Sequence, residues 1–248
     1  MNLYCAGLLR CQAVCSGNLL SPLDFYSYAD QIDIKHNKFR LCNLTPIRTS
    51  SGKNIDISKN DIIQTKAQII DGGAAYAEAA MIAAGLVDRG YATDKNDVAN
   101  VLIMSNTLIS AGVNCRGVSC STNSTTNLFR VLSVLENTIR SSGSNAEFGV
   151  FANGVQQVHV SGGQIEGFGA AVRFQGTSNN AAIVAEGNSL LKVRDVKIKN
   201  CLTGIYARDA ITNADIIIDG AQISGSATLS FTVRNAASLV VKNTKLGG

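Results

Sequence analysis

Hydrophobic positions along this chain fall into one recurring pattern: apolar, any, apolar, four intervening residues, apolar. With the last apolar residue as anchor, the pattern ends at Phe39, Ile62, Leu108, Ile139, Ile165, Ile198, Ile223 and Leu246. Seven positions earlier stand Ile32, Ile55, Val101, Leu132, Val158, Leu191, Ile216 and Leu239. Five positions earlier stand Ile34, Ile57, Ile103, Val134, Val160, Val193, Ile218 and Val241, a column that is β-branched throughout. Apolar residues two apart share one face of a strand. The polar or glycine residues that follow read as a turn, and a second strand starts at the anchor.

A third apolar segment recurs in most units, at Ile47, Val118, Val150 with Phe151, Val172 with Phe174, Ile205, and Phe231 with Val233. Three short strands per unit describe one coil of a right-handed parallel β-helix, an all-β, single-stranded solenoid. No coil buries its apolar face alone, whereas a stack makes a continuous core. The anchors predict about 9–10 rungs. They are 23 to 33 residues apart except for one gap of 46, which reads as two units with a degenerate rung near 72–94. The alanine-rich run GGAAYAEAAMIAAGL (72–86) reads as a short helix or helical rung there. Residues 31–248 form the β-helix. Residues 1–30 are expected to be an irregular start or a first weak rung, with a faint unit ending at Leu20.

Two further columns lie outside the apolar ones. Two before the anchor stand Asn37, Asn60, Asn106 and Asn137, then Gly163. Stacked asparagines can hydrogen-bond along the axis. One after the anchor, Arg140, Glu166 and Lys199 predict an alternating charge ladder.

Composition adds little that contradicts this. The chain is 46 % apolar and 16 % charged, a folded composition, with a net charge of +4 and no block of like charges. A basic stripe with interleaved aromatics, as nucleic-acid binding wants, is not seen. No stretch reaches the ~18 uninterrupted apolar residues of a membrane span, and the start lacks the basic region of a signal peptide. The seven cysteines form no C-x-x-C pair, so free thiols are expected and no metal or cofactor is called for. No polar cap closes the pattern at Leu246, so the expectation is a piece of a longer chain, or an end that a partner or another copy covers.

The stretches IDIKHNKF, IDISKNDI, VLIMSNTL, VHVSGGQI, VRDVKIKN with TGIYARD, and VVKNTKL make the chain resemble the pectate-lyase-like superfamily of right-handed β-helices over roughly residues 30–248. That superfamily includes pectate lyases, polygalacturonases, alginate epimerases and phage tailspikes. The resemblance implies an acidic polysaccharide as ligand, and a virion or extracellular place for a tailspike-like member. It does not bring the family's chemistry with it. The N-T-D, D-D, G-H-G and R-I-K strings of polygalacturonase-like members are absent, and no dense carboxylate cluster suggests calcium.

The chemistry left to weigh is sparse. Glu136, Gly162 and Asp195 stand three before the anchor on successive units. Two rungs apart puts the carboxylates ~9–10 Å apart between Cα atoms, near the ~6.5–9.5 Å spacing of an inverting glycosidase pair. They are the catalytic candidates, and ordinary turn residues are the competing reading. Arg173, Arg208 and Asp209, with Glu166 from the charge ladder, are the binding candidates, because arginine can clasp a sugar carboxylate. The two histidines, His36 and His159, read as surface residues. With no tryptophan, and five of the six tyrosines in the first 91 residues, an aromatic platform for sugar is not expected on most of the solenoid. Two functions fit: a structural, receptor-facing solenoid of an oligomer or longer chain, as in a tailspike, or a polysaccharide lyase or hydrolase.

Overall fold

Backbone pairing puts every described strand into one of three parallel sheets that run the length of the molecule. The computed structural model describes residues 31–43, 45–49, 54–66, 80–86, 100–122, 129–143, 145–153, 155–175, 189–207, 214–225, 229–233 and 236–247. Nearer the start it describes the short strands Leu8–Leu9, Gln12–Val14 and Leu23–Phe25. The first and second sheets each hold nine strands and the third holds eight, in the arrangement of a right-handed parallel β-helix. Rungs are numbered here by their first-sheet strand. Rung two begins at Gln31–Lys35, rung three at Asn54–Ser58, rung four at Asn100–Met104, and rung five at Phe129–Leu135. Rung six begins at Val155–Ser161, rung seven at Ser189–Arg194, rung eight at Ala214–Asp219, and rung nine at Ser238–Lys242.

The three apolar columns stack as the spacing predicts. Ile34, Ile57, Ile103, Val134, Val160, Val193, Ile218 and Val241 pair in unbroken succession. The anchors do the same from Phe39 to Leu246. Alternation turns these side chains inward, where those of rungs two to eight are almost wholly buried, and each of those contributes ~1.5–3 kcal/mol of burial relative to exposure. Stacking is what removes the water: Ile103 is 0 % exposed between two neighbours, whereas Val241, on the last rung, is 40 % exposed.

A two-residue turn joins the first sheet to the second. Its leading residue is left-handed in eight successive rungs: His36, Lys59, Ser105, Glu136, Gly162, Asp195, Gly220 and Asn243. The next residue points inward. In rungs two to five it is the asparagine column, which forms a buried ladder. Asn37 N, Asn60 N and Asn106 N each donate to the Oδ1 of the next asparagine, at 3.0, 2.8 and 2.8 Å. Each Nδ2 also donates to that same Oδ1, at 3.0 Å in all three steps. The ladder stops at Gly163 (φ 71), where a Cβ would lie 2.1 Å from the Asn137 carbonyl oxygen. Beyond it the inward position is filled by Val196 and Ala221.

Three expectations need correction. The 46-residue gap is one rung, because Asn54–Ser58 pairs directly with Asn100–Met104 and Asn60 stacks directly on Asn106. The extra length lies on either side of the third strand of that rung. That strand, Ala80–Leu86, occupies the stretch expected to be helical, and it pairs with Ile47–Thr49 and Arg116–Thr122. Neighbouring strand edges on both sides override the helix propensity of its alanines. Residues 72–79 and 87–94 lie outside the described residues. The faint first unit is anchored on Ala13, which pairs with Phe39, and not on Leu20.

Candidate functional site

Strand alternation that sends the apolar columns inward sends a second set of residues out from the first sheet. Two contiguous hollows line that outer face. The first, of about 450 Å³, runs over rungs two to five and is lined by Gln31, Asp33, Lys35, Asn54, Asp56, Asn100 and Leu102 among others. The second, of about 380 Å³, runs over rungs five to seven and is lined by Ser133, Leu135, His159, Ser161, Lys192 and Arg194 among others. Val131 and Ser133 border both, so the two form one furrow along the axis. It crosses six strands, roughly 24 Å at the usual strand spacing.

The two ends of the furrow differ in charge. In rungs two and three, Lys35 Nζ sits 2.7 Å from Asp33 Oδ1 and 2.6 Å from Asp56 Oδ2. Hydrogen bonds to Asp33 and then Asp56 push the lysine pKa up, so it is a fixed cation between two stacked carboxylates. Gln31 Nε2 donates to the other oxygen of Asp33 at 2.6 Å. Asp56 Oδ1 is buried and accepts no hydrogen bond from the described residues. In rungs six and seven the outward residues are His159 and Ser161, stacked on Lys192 and Arg194. Burial, then Lys192 and Arg194, push the His159 pKa down.

The third sheet carries a second cluster that sequence reasoning missed. Arg116 pairs with Glu147, with Nε and Nη2 each 2.6 Å from Oε2. Its guanidinium lies 5.4 and 5.5 Å from the ring centroids of Phe148 and Phe151, within cation–π range. Those rings stack on each other at 5.2 Å. Phe148 and Phe151 are three apart, a spacing that signals nothing in a strand. Only the rung register, Arg116 against Phe148, brings the group together.

The candidates from sequence are dispersed. Glu136 and Asp195 do share a column with Gly162 between them, as the backbone bonds from Glu136 N to Ser161 O and from Gly162 N to Arg194 O show. Both occupy the left-handed turn position that His36, Lys59 and Ser105 also fill. The Glu136 carboxylate covers Gly162, where a Cβ would come within 1.9 Å of Oε1, and that of Asp195 likewise lies over Gly220. Arg173 stands between Phe151 and Tyr206 in the third-sheet register. Arg208 and Asp209 lie outside the described residues. Glu166 belongs to the charge ladder: Arg140 Nε is 3.4 Å from its Oε2, while Gln164 and Asn200 donate to its two oxygens.

Cys42, Cys115, Cys120 and Cys201 are buried, and burial raises the pKa of the last three, so those three pack as apolar residues. Among the described residues no group of three or more His, Cys, Asp or Glu could hold a metal ion, and no helix is long and apolar enough to cross a membrane. A scan of protein-family models and searches of curated proteins and of solved structures return no match.

Proposed function

We propose that this chain is a structural, receptor-facing module of a larger or oligomeric assembly, built in the manner of the tailspikes of the pectate-lyase-like superfamily, with its first-sheet furrow lying against polysaccharide. The observation that carries the reading is the state of rung nine. Leu239, Val241 and Leu246 belong to columns that are buried in rungs two to eight, yet they are 43, 40 and 55 % exposed, beside a strand edge that no described strand pairs. Such an edge is a template for further pairing. A second copy stacked on rung nine would bury it and restore the core. The furrow supports the polysaccharide part. Its amides and hydroxyls are suited to sugar hydroxyls, and its basic end to an acidic sugar.

Self-association through rung nine is expected in sedimentation velocity, rising with concentration and weakened when Val241 and Leu246 are both changed to lysine. A monodisperse monomer at high concentration, unchanged by those substitutions, would count decisively against the reading.

The shared column of Glu136 and Asp195 favours a second reading, a polysaccharide lyase or hydrolase of the same superfamily. It predicts cleavage of at least one acidic polysaccharide, falling by ~10²-fold or more in Glu136→Ala or Asp195→Ala. A panel of such polymers left intact by the wild-type chain removes this reading.

A further inference from the structure

We propose that Lys192, Arg194 and His159, with the hydroxyls of Ser133 and Ser161, form a subsite for a single oxyanion, a sulfate or carboxylate group carried on a saccharide laid along the furrow. This rests on the polysaccharide reading only for the carrier of the anion. The register stacks Ser133, His159 and Lys192 in one outward row, and Leu135, Ser161 and Arg194 in the next. Inward burial of Val158, Val160, Leu191 and Val193 fixes their direction. Two permanent cations and a titratable one thus share a hollow on two adjacent rungs, flanked by hydroxyl donors.

The charge there is only partly cancelled from within. The stacking neighbours of Lys192 are His159 on one side and Ile217 on the other. Arg194 faces Asp219, but at 3.8 Å, and Asp219 is also drawn to Lys242 at 3.5 Å and accepts from Asn243 Nδ2 at 3.0 Å. An exposed pair at that distance holds its arginine weakly. Asp215, diagonal to Lys192, accepts from Ser238 at 2.5 Å. Around His159 itself the described outward groups are Ser133 and Leu135 on the preceding rung, Gln157 and Ser161 on its own strand, and Lys192 and Arg194 on the following one. No carboxylate is among them; Glu136 and Asp195 stand in the adjoining turn, over Gly162 and Gly220.

The arrangement makes anion binding depend on pH. His159 loses its proton more easily than an ordinary histidine because it is half-buried beside two cations. The folded chain therefore binds this proton less tightly than the unfolded chain, and His159 costs stability as pH falls through the histidine range. A bound oxyanion reverses the field at the ring, raises its affinity for the proton, and is itself held more tightly at low pH, as linkage requires.

The test uses the only two histidines in the chain, His36 serving as the internal reference. Ring signals of both are followed by NMR against pH, with and without inorganic sulfate or glucuronate. An upward shift of the His159 midpoint, absent at His36 and abolished in Lys192→Met/Arg194→Met, is expected. No shift, or one that survives the double substitution, overturns the subsite. Both positions are on the outer face, and retained dispersion of the core methyl signals confirms that the double variant is folded. Binding of dextran sulfate and of neutral dextran of equal length then separates the two proposals. The sulfated polymer should bind about tenfold more tightly, and the double variant should lose that preference. Sulfated polymer held equally well by the double variant removes the subsite and leaves the furrow reading. Sulfate that shifts His159 without any dextran binding, or single-stranded DNA bound through the same residues, removes the saccharide as carrier.

Discussion

Replacing Asn106 by alanine is expected to lower the unfolding free energy by ~3 kcal/mol, the largest loss among single polar substitutions in this solenoid. The side chain sits at 1 % exposure in the middle of the ladder and joins three rungs. Its Oδ1 accepts from Asn60 N at 2.8 Å and Asn60 Nδ2 at 3.0 Å, and its Nδ2 donates to Ile57 O at 2.8 Å and to Asn137 Oδ1 at 3.0 Å. Alanine leaves the buried backbone N–H of Asn60 without its acceptor, and an unmet buried donor costs ~1–3 kcal/mol by itself. The cost arises from the neighbours and not from the turn. Val196 and Ala221 fill the same inward position in rungs seven and eight at 0 % exposure, where no asparagine lies beneath them. Val196→Ala should therefore lose only the transfer and cavity cost of two methyl groups, ~1–2 kcal/mol. Urea unfolding of the two variants measures both. An Asn106→Ala loss no greater than that of Val196→Ala would show that the ladder is not what holds these turns.

What the sequence revealed and what it concealed follow from the same geometry. Inward positions repeat because each rung must fill the same cross-section, so Ile34, Ile57, Ile103 and Val134 announce themselves at fixed distances from their anchors. The asparagine column was legible for the same reason. The left-handed turn position was not. Histidine, lysine, serine, glutamate and aspartate all stand there, so no residue type marks it. Glu136 and Asp195 drew notice as carboxylates in register, a chemical signal that the chain cannot distinguish from turn filling. The furrow was hidden more thoroughly. It depends on which outward residues meet across rungs separated by 23, 46, 31, 26 and 33 residues. His159 against Lys192 emerges only once Val158 is set on Leu191. The alanine-rich run reads as a helix because Ala83 and Ala84 carry that propensity, yet they lie between Arg48 and Thr49 on one side and Ser119 and Cys120 on the other. Ile82, between Ile47 and Val118 in the third-sheet column, was the residue that could have shown it.

Ile103→Ala and Val241→Ala alter the same column at its middle and at its end, and they are expected to differ several-fold in effect. Ile103 is 0 % exposed, with Ile57 stacked on one side and Val134 on the other. Truncating it opens a cavity that two fixed neighbours cannot close, for a loss of ~2–5 kcal/mol. Val241 has Ile218 on one side and solvent on the other, at 40 % exposure, so its truncation in the free chain should cost under ~1 kcal/mol. In a stack stabilised by nearest neighbours, damage at the centre breaks two interfaces and damage at the end breaks one. The comparison also reports on assembly. If another copy covers rung nine, Val241 becomes an interior residue. Its truncation cost should then rise with protein concentration, because binding only to the folded form stabilises it by mass action. Thermal melts of both variants over a wide concentration range resolve this. A Val241→Ala penalty that stays small at every concentration means that this end is not buried by self-association, while an Ile103→Ala penalty of similar size would mean that the column is not a continuous core.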